Sequence, residues 1–181
     1  MRIRLAGVDD APAIAEVHLR SREFAYRGLM PDEYLDQMVA AGEDRLTRWR
    51  GNLATAGPDV RCWLAEDDDV VVGFASTGAS RDGDAAPYTG EVLAIYLDPV
   101  VIGRGMGRTL FQHAIDDLLR RGFAPLTLWV LDENQRASHF YEAAGWFADG
   151  ATKAEEMSGA VLQEVRYRLD PGMHRDETRT T

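Results

Sequence analysis

The middle of the chain holds the segment that most constrains the fold. Gly90 to Leu97 is a strongly apolar run, and Pro125 to Leu131 is a second one. Between them, a glycine-rich turn over 103–107 leads into Arg108 to Arg121, where apolar residues recur at helical spacing. A crossover of this length through a helix places the two strands parallel in one sheet. We therefore predict an α/β fold with a mixed sheet.

Helices and further strands are predicted on both sides of this segment. Arg2 to Leu5 and Val161 to Leu169 alternate like strands. Val60 to Glu66 and Val70 to Thr77 are separated by three aspartates, which favours an antiparallel hairpin. The loop over 78–90 is expected to be exposed and mobile. Three helices should precede the hairpin, with helical spacing carried by Ile14, Val17, Ser21, Phe24, Tyr34, Leu35, Met38, Leu46, Trp49 and Leu53.

Size and composition predict one domain. With 181 residues, 45% of them hydrophobic, the chain has enough apolar surface for one core. We place this domain at residues 1–170 and a flexible C-terminal tail at residues 171–181. The single cysteine, Cys62, cannot form an intramolecular disulfide, which favours a cytoplasmic location. Because no apolar run approaches the roughly 20 residues of a membrane span, no membrane partner is expected.

The charge balance bears on the choice of partner. Thirty acidic and 20 basic side chains give a formal net charge of −10. Such a charge repels a polyphosphate backbone, so we expect no nucleic-acid partner. A cationic partner would be attracted, although the same excess also serves solubility.

Three alternate glycines, Gly103, Gly105 and Gly107, predict an anion site. They stand between a strand and a helix start, where backbone N–H groups are unpaired and the helix dipole is positive. Arg104 and Arg108 add positive charge beside them. The same glycines would also suit a tight turn without a ligand. A P-loop requires a lysine here and a dinucleotide fingerprint requires a different glycine spacing, so both fit poorly.

The motif Ile102 to Gly107 resembles the acetyl-coenzyme A site of the GNAT superfamily of N-acetyltransferases. The family pattern is Arg/Gln-x-x-Gly-x-Gly/Ala, from which this chain departs at Ile102. Glu91 to Pro99 is similar to the family's preceding strand, and Trp129 to Trp146 to its second motif. The resemblance runs from about Arg2 to Leu169. It implies a GNAT-type fold whose central sheet splays between the two parallel strands, where the coenzyme would enter.

The resemblance also implies acetyl-CoA as co-substrate, without a metal. In the family, the strand backbone at Ile95, Tyr96 and Leu97 binds the pantetheine arm, and main-chain amides of the turn bind the pyrophosphate. Asn134 would bind the pantetheine, cap its helix, or do both. The candidate coenzyme-binding residues are therefore Ile95, Tyr96, Leu97, Gly103, Arg104, Gly105, Met106, Gly107, Arg108 and Asn134.

Two residues are candidates for proton transfer. The resemblance implies that Tyr141 donates its phenolic proton to the departing sulfur, although Tyr141 could instead simply pack beside Phe140. Glu91 begins the strand and is the first choice for the base that accepts the amine's proton. It could equally reach solvent at the end of the strand. A backbone N–H near Tyr96 would stabilise the oxyanion.

The acceptor pocket is expected at the turn between the first two helices, which overhangs the substrate in the family. Its aromatic and flexible apolar residues would suit a small organic amine. Each could instead serve the core or the ordinary surface. The four histidines show no metal-ligand spacing and receive no role, and Cys62 is expected to be a buried, inert thiol. The candidate wall residues are Phe24, Tyr26, Leu29, Met30 and Tyr88, with Tyr96 as a further addition.

The expected function is direct acetyl transfer from acetyl-CoA to a primary amine within a ternary complex. One alternative is a non-catalytic acyl-CoA-binding regulatory module, with which the departure at Ile102 and the unproven base are both consistent. Another is acetylation of a protein N-terminus or lysine. Family habit favours a homodimer.

Overall fold

A computed structural model describes residues 1–28, 32–157 and 160–171. The chain forms two compact units. The first comprises Met1–Thr77 and Leu93–Ala114, and the second comprises Gly78–Val92 with the chain from Ile115 onward. The predicted tail lies outside the described residues from residue 172 on.

The described residues form seven strands and five α-helices. Short 3-10 turns precede α1 and follow β4. The bounds are β1 Arg2–Leu5, α1 Ala11–Tyr26, α2 Asp32–Ala40, α3 Gly42–Ala54, β2 Arg61–Asp67, β3 Val70–Ala79, β4 Gly90–Leu97, α4 Met106–Arg120, β5 Leu126–Leu131, α5 Gln135–Glu142, β6 Phe147–Met157 and β7 Ala160–Leu169.

The strands of the first unit follow the order β1-β2-β3-β4. β1 pairs antiparallel with β2, and β2 pairs antiparallel with β3. Asp68 and Asp69 connect β2 to β3 and have positive φ angles of 48° and 63°. Two consecutive positive φ angles match the twist of the flanking strands, and aspartate tolerates this conformation better than most residues. The predicted antiparallel hairpin is confirmed.

The core of the first unit consists of two clusters, and β4 contributes to both by alternation. Ala94 and Tyr96 pack on the cluster that contains Ile14 and Phe74. Ile95 and Leu97 pack on the other cluster, whose buried residues are Ala65, Val72, Ala75, Val101, Leu110 and Ala114. Because successive side chains of a strand point to opposite faces, β4 joins the α1 layer to the α4 layer of this unit.

The strands of the second unit follow the order β4-β5-β7-β6. β5 pairs antiparallel with β7, and β7 with β6. β4 and β5 pair in parallel at Gly90↔Leu126 and Glu91↔Thr127. Among the described residues this parallel register comprises only those two positions, although both strands continue. The predicted fold class, an α/β fold with a mixed sheet, is confirmed.

Glycine is required where this parallel pair begins. A Cβ at Gly90 would lie 2.8 Å from both Leu126 Cδ2 and Phe123 Cβ. Any side chain there would force apart the well-packed layer beneath β4.

Three details differ from the sequence predictions. β6 was not predicted at all. α4 begins at Met106 rather than at Arg108. Ile14, Val17 and Ser21 are buried as the helical stripe predicts, but Phe24 is 51% exposed.

Candidate functional site

The glycine-rich turn lies in the first unit, directly after a short 3-10 turn at Pro99–Val101. The buried Asp98 caps this turn by accepting a hydrogen bond from the Val100 N–H at 3.1 Å. Gly103 and Gly105 have φ angles of +84° and +81°. Only glycine adopts this left-handed region without strain, so these two positions define the path of the turn.

Several main-chain amides of the turn remain available for a ligand. The Arg104 N–H donates to the Val101 carbonyl at 3.3 Å. No protein acceptor within residues 1–28, 32–157 and 160–171 receives the N–H groups of Gly103, Gly105, Met106, Gly107 or Arg108. These groups stand at the first turn of α4, where the helix dipole favours negative charge. The turn therefore has the donors and the field to bind an anion.

Space and charge at the turn agree with that chemistry. A Cβ added at Gly103 or Gly105 would meet no atom within 4 Å. Arg104 and Arg108 are both exposed beside the turn. An anion could approach the backbone there with two guanidinium groups nearby.

Helix α1 holds the approach to the turn in place. Arg20 Nε donates to Asp98 Oδ2 at 2.7 Å, and Ser21 Oγ donates to the Leu97 carbonyl. Ile95, Tyr96 and Leu97 are half-buried, so the second half of β4 retains accessible surface. One carbonyl of the predicted pantetheine strand is thus already engaged by Ser21.

An aromatic cluster covers the α1 side of β4. His18 lies at its centre, with ring centroids 4.6 Å from Tyr96, 5.7 Å from Trp49 and 5.8 Å from Phe74. Trp49 Nε1 donates to His18 Nδ1 at 3.3 Å. Burial, followed by the charges of Arg22, Arg45 and Arg48, lowers the pKa of His18 to about 3. His18 is therefore neutral at pH 7 and a weak base.

Tyr26 and Tyr96, both predicted site residues, come together at the edge of this aromatic cluster. Their hydroxyl oxygens are 3.4 Å apart. Arg22 lies beside them, with Nη2 donating to Tyr34 Oη at 2.8 Å and Cζ 5.2 Å from the Tyr26 ring centroid.

His18 and Arg22 are the residues that sequence reasoning missed here. A signal was present, because His18, Arg22 and Tyr26 follow one another at intervals of four and so share one face of α1. Trp49 was predicted only as an apolar stripe residue of the third helix.

Phe24 lies apart from this aromatic cluster. It stands two positions before Tyr26, so the two side chains leave α1 about 200° apart. Phe24 instead lines a groove of about 290 Å³ with Arg20, Glu23, Arg27, Asp98, Pro99 and Val100. Leu29 and Met30, the other predicted wall residues of this turn, lie outside the described residues.

Glu91 lies in the second unit and is 2% exposed. Its Oε2 accepts the Arg81 backbone N–H at 2.9 Å, and its Oε1 accepts Arg81 Nη2 at 2.7 Å. Glu91 therefore fixes the start of the loop between β3 and β4, rather than reaching solvent. A role as base would have to share the carboxylate with Arg81.

The loop between β3 and β4 is exposed as predicted, but it is anchored. Arg166, on β7, contacts Asp82 at 3.1 Å and Asp84 at 2.8 Å. Trp129 Nε1 donates to Asp82 Oδ1 at 2.9 Å. Tyr88, a predicted acceptor residue, is 76% exposed on this loop and has a φ of +66°.

Tyr141 and Asn134 belong to the same unit. Tyr141 lies on α5, is 8% exposed, and has its ring centroid 5.5 Å from Phe140 and 6.1 Å from Tyr167. Asn134 Oδ1 accepts the Ala137 N–H at 3.2 Å, which confirms the predicted helix cap. Its predicted role toward the coenzyme stays a prediction.

Cys62 is a buried free thiol on β2, and burial raises its pKa to about 11. The thiol is therefore protonated at pH 7 and inert, as expected. Within the described part of the chain, no group of three or more His, Cys, Asp or Glu side chains is arranged to hold a metal ion.

Comparison with known proteins decides the family. The family model for the acetyltransferase (GNAT) family matches residues 19–146, which is more than half of the chain. The chain belongs to the GNAT acetyltransferase family. The predicted family and the predicted class of enzyme, an acyltransferase, are thereby confirmed.

Similar proteins are named as acetyltransferases or acyltransferases. This GNAT acetyltransferase is 32% identical over 143 residues to the uncharacterized N-acetyltransferase YuaI of Bacillus subtilis, covering 78% of this chain and 77% of the relative. It is 30% identical over 146 residues to the L-amino acid N-acyltransferase MnaT of Escherichia coli, with 81% and 79% covered. Identity to the mycothiol acetyltransferase of Beutenbergia cavernae is 40% over 145 residues, covering 80% of this chain but 44% of that protein.

Solved structures share the fold. The structure of yncA from Salmonella typhimurium with its cofactor acetyl-CoA superposes with a TM-score of 0.69 at 24% identity, covering 94% of this chain and 93% of that one. At this identity the likeness concerns the fold alone. None of the described helices of this GNAT acetyltransferase is long and apolar enough to cross a membrane.

Proposed function

We propose that this protein transfers the acetyl group of acetyl-CoA to the primary amine of a small molecule, by direct attack within a ternary complex. The observation that carries the proposal is the glycine-rich turn. The N–H groups of Gly103, Gly105, Met106 and Gly107 have no acceptor among the described residues and stand at or just before the N-terminus of α4. In a GNAT acetyltransferase, such donors suit the pyrophosphate of the coenzyme.

The pantetheine arm would lie along the second half of β4. Ile95, Tyr96 and Leu97 are half-buried there, and within the part of the chain that the structure describes, β4 pairs with β5 at Gly90 and Glu91 alone. Backbone groups beyond that point would bind the pantetheine amides. The yncA protein, which shares this fold, was solved with acetyl-CoA, and this supports the choice of co-substrate.

The chemistry requires two proton transfers. The amine loses a proton to a base as its nitrogen bonds to the acetyl carbon, and the C–S bond then breaks. A main-chain N–H near Tyr96 would stabilise the intermediate oxyanion. The phenol of Tyr141 would protonate the departing thiolate. Its assignment rests on the resemblance of Trp129 to Trp146 to the second family motif.

Tyr141→Phe tests the acid. We expect kcat to fall by about 10²-fold or more, because the thiolate would leave without a proton donor. The readout is the release of free thiol with a panel of amines, together with calorimetric titration of acetyl-CoA, whose Kd should not change. Tyr167→Phe is the matched control, since its phenol donates to Glu142 Oε1 at 2.9 Å and has no assigned step.

Two results would count against the proposal. An unchanged kcat in Tyr141→Phe would remove that residue from the reaction. Binding of acetyl-CoA without acetylation of any amine would favour the non-catalytic coenzyme-binding module.

Glu91 is proposed as the base, and a pair of variants separates this role from anchoring. Glu91→Gln should lower kcat by about 10²-fold or more and alter the pH profile of kcat. Arg81→Met removes the same ion pair, between Glu91 and Arg81, by changing the arginine. It should keep most of the activity if the carboxylate itself accepts the proton. Similar losses of stability in both variants, with kcat retained, would identify Glu91 as an anchor of the loop alone.

A further inference from the structure

Arg22 faces the aromatic cluster of His18, Trp49, Phe74 and Tyr96, and the function proposed above gives it no role. From its geometry we propose that the acceptor amine also carries a carboxylate, which Arg22 binds beside Tyr26 and Tyr96. This inference rests on the proposed function and specifies its substrate class: amino acids and related amino carboxylates, rather than simple alkylamines.

Phenols orient the Arg22 guanidinium. Nη2 donates to Tyr34 Oη at 2.8 Å, and Cζ lies 5.2 Å from the Tyr26 ring centroid and 5.9 Å from that of Tyr34. Phenols are neutral at pH 7, so these contacts orient the guanidinium without cancelling its charge. Although burial acts to lower the pKa of Arg22, the net shift of that pKa is upward, so the guanidinium stays charged at pH 7.

Positive charge accumulates around the same place. Arg45 and Arg48 lie on α3, and their charges act with that of Arg22 on the neutral His18. Burial and the charges of Arg22 and Arg48 lower the pKa of Arg45. Binding of an anion among these like charges relieves their repulsion and is therefore favourable. In a chain with a net charge of −10, these three arginines supply positive charge that favours an anionic ligand.

The position of this charge suits the proposed reaction. Tyr26 Oη lies 3.4 Å from Tyr96 Oη, and Tyr96 is part of the strand that is proposed to bind the pantetheine arm. A carboxylate can accept paired hydrogen bonds from a guanidinium, which fixes its orientation as well as its position. An acceptor held by its carboxylate at Arg22 would present its amine toward β4.

The test uses acceptors in matched pairs, one with a carboxylate and one without. Suitable pairs are L-leucine with 3-methylbutylamine and L-phenylalanine with phenethylamine. A third pair, 2-aminoethylphosphonate with ethanolamine, tests whether another anion replaces the carboxylate. We expect kcat/KM of the wild-type protein to favour the carboxylate member by roughly 10- to 100-fold.

Arg22→Met should abolish this preference, because kcat/KM should fall much further for the carboxylate member of each pair than for the plain amine. Arg50→Met is the control, because Arg50 is an exposed arginine on the same helix as Arg45. If Arg22→Met does not fold, Arg45→Met at the half-buried neighbour should reduce the same preference by a smaller factor.

The outcomes separate this inference from the proposed function. Three results would overturn the carboxylate assignment alone. They are equal kcat/KM within each pair, a higher kcat/KM for 2-aminoethylphosphonate than for the amino acids, and an equal loss for both members of a pair in Arg22→Met. Failure to acetylate any amine would overturn the proposed function, and the substrate class with it.

Discussion

At the scale of single residues, His18 shows how neighbours decide what a side chain can do. Burial and the charges of Arg22, Arg45 and Arg48 lower its pKa to about 3. Its ring accepts the Trp49 N–H and packs against Tyr96. Histidine is ordinarily a base near neutral pH, but in this fold His18 is a neutral packing and hydrogen-bonding residue.

The lowered pKa of His18 predicts acid-sensitive stability. Above the ordinary histidine pKa of 6.5, both folded and unfolded states are neutral at this residue. As the pH falls below 6.5, His18 binds a proton in the unfolded state, whereas in the folded state it does not bind one until about pH 3. The free energy of unfolding should therefore fall by about 2 kcal/mol between pH 7 and pH 5 because of this residue.

Urea unfolding at both pH values measures this effect. His18→Gln retains an acceptor for Trp49 but cannot titrate, so its stability should fall less than that of the wild type between pH 7 and pH 5. Identical pH dependence in the two proteins would show that His18 does not supply the proton uptake.

At the scale of elements, the turn between β4 and α4 depends on backbone conformation more than on side chains. Gly103 and Gly105 adopt positive φ, and the buried Asp98 fixes the entry to the turn. The departure from the family pattern at Ile102 leaves this backbone path intact. Ile102 has an ordinary extended conformation, with φ −63° and ψ 139°.

Gly105→Ala should weaken coenzyme binding. The new methyl group would meet no protein atom, so the cost comes from a left-handed conformation that alanine disfavours by about 1–2 kcal/mol. If the turn shifts to relieve that strain, its amides move, and the Kd for acetyl-CoA should rise by about tenfold. Calorimetric titration measures this change.

Gly51→Ala is the matched control for that prediction. Gly51 lies inside α3, and a Cβ there also has open space. Alanine should therefore stabilise the protein by about 0.5–1 kcal/mol and leave the Kd unchanged. An unchanged Kd in Gly105→Ala together with an unchanged free energy of unfolding, which indicates that the turn has shifted, would contradict coenzyme binding at the turn.

At the scale of the whole molecule, the net charge hides strong local differences. In the first unit, the charges of Arg22, Arg45 and Arg48 act together on His18. In the second unit, Arg166 is 12% exposed and pairs with Asp82, Asp84 and Asp149. The acidic excess therefore describes the surface on average, but it does not describe the environment of the proposed acceptor.

The sequence alone determined the elements with strong local signals. Hydrophobic periodicity located the hairpin and the crossover from β4 to β5, because burial of an apolar face dominates such segments. The glycine pattern located the candidate anion site, since positive φ is a requirement of the backbone itself. The resemblance between separated motifs then gave the family, which the family model confirmed.

Only the tertiary structure decided the features that depend on partners distant in sequence. β6 has a weak strand pattern and forms because β7 offers it a hydrogen-bonding edge. Glu91 is committed to Arg81 rather than open to solvent, and Arg22 faces a set of tyrosines. These outcomes could not be read from local pattern, because a side chain's charge and contacts depend on groups that folding brings beside it.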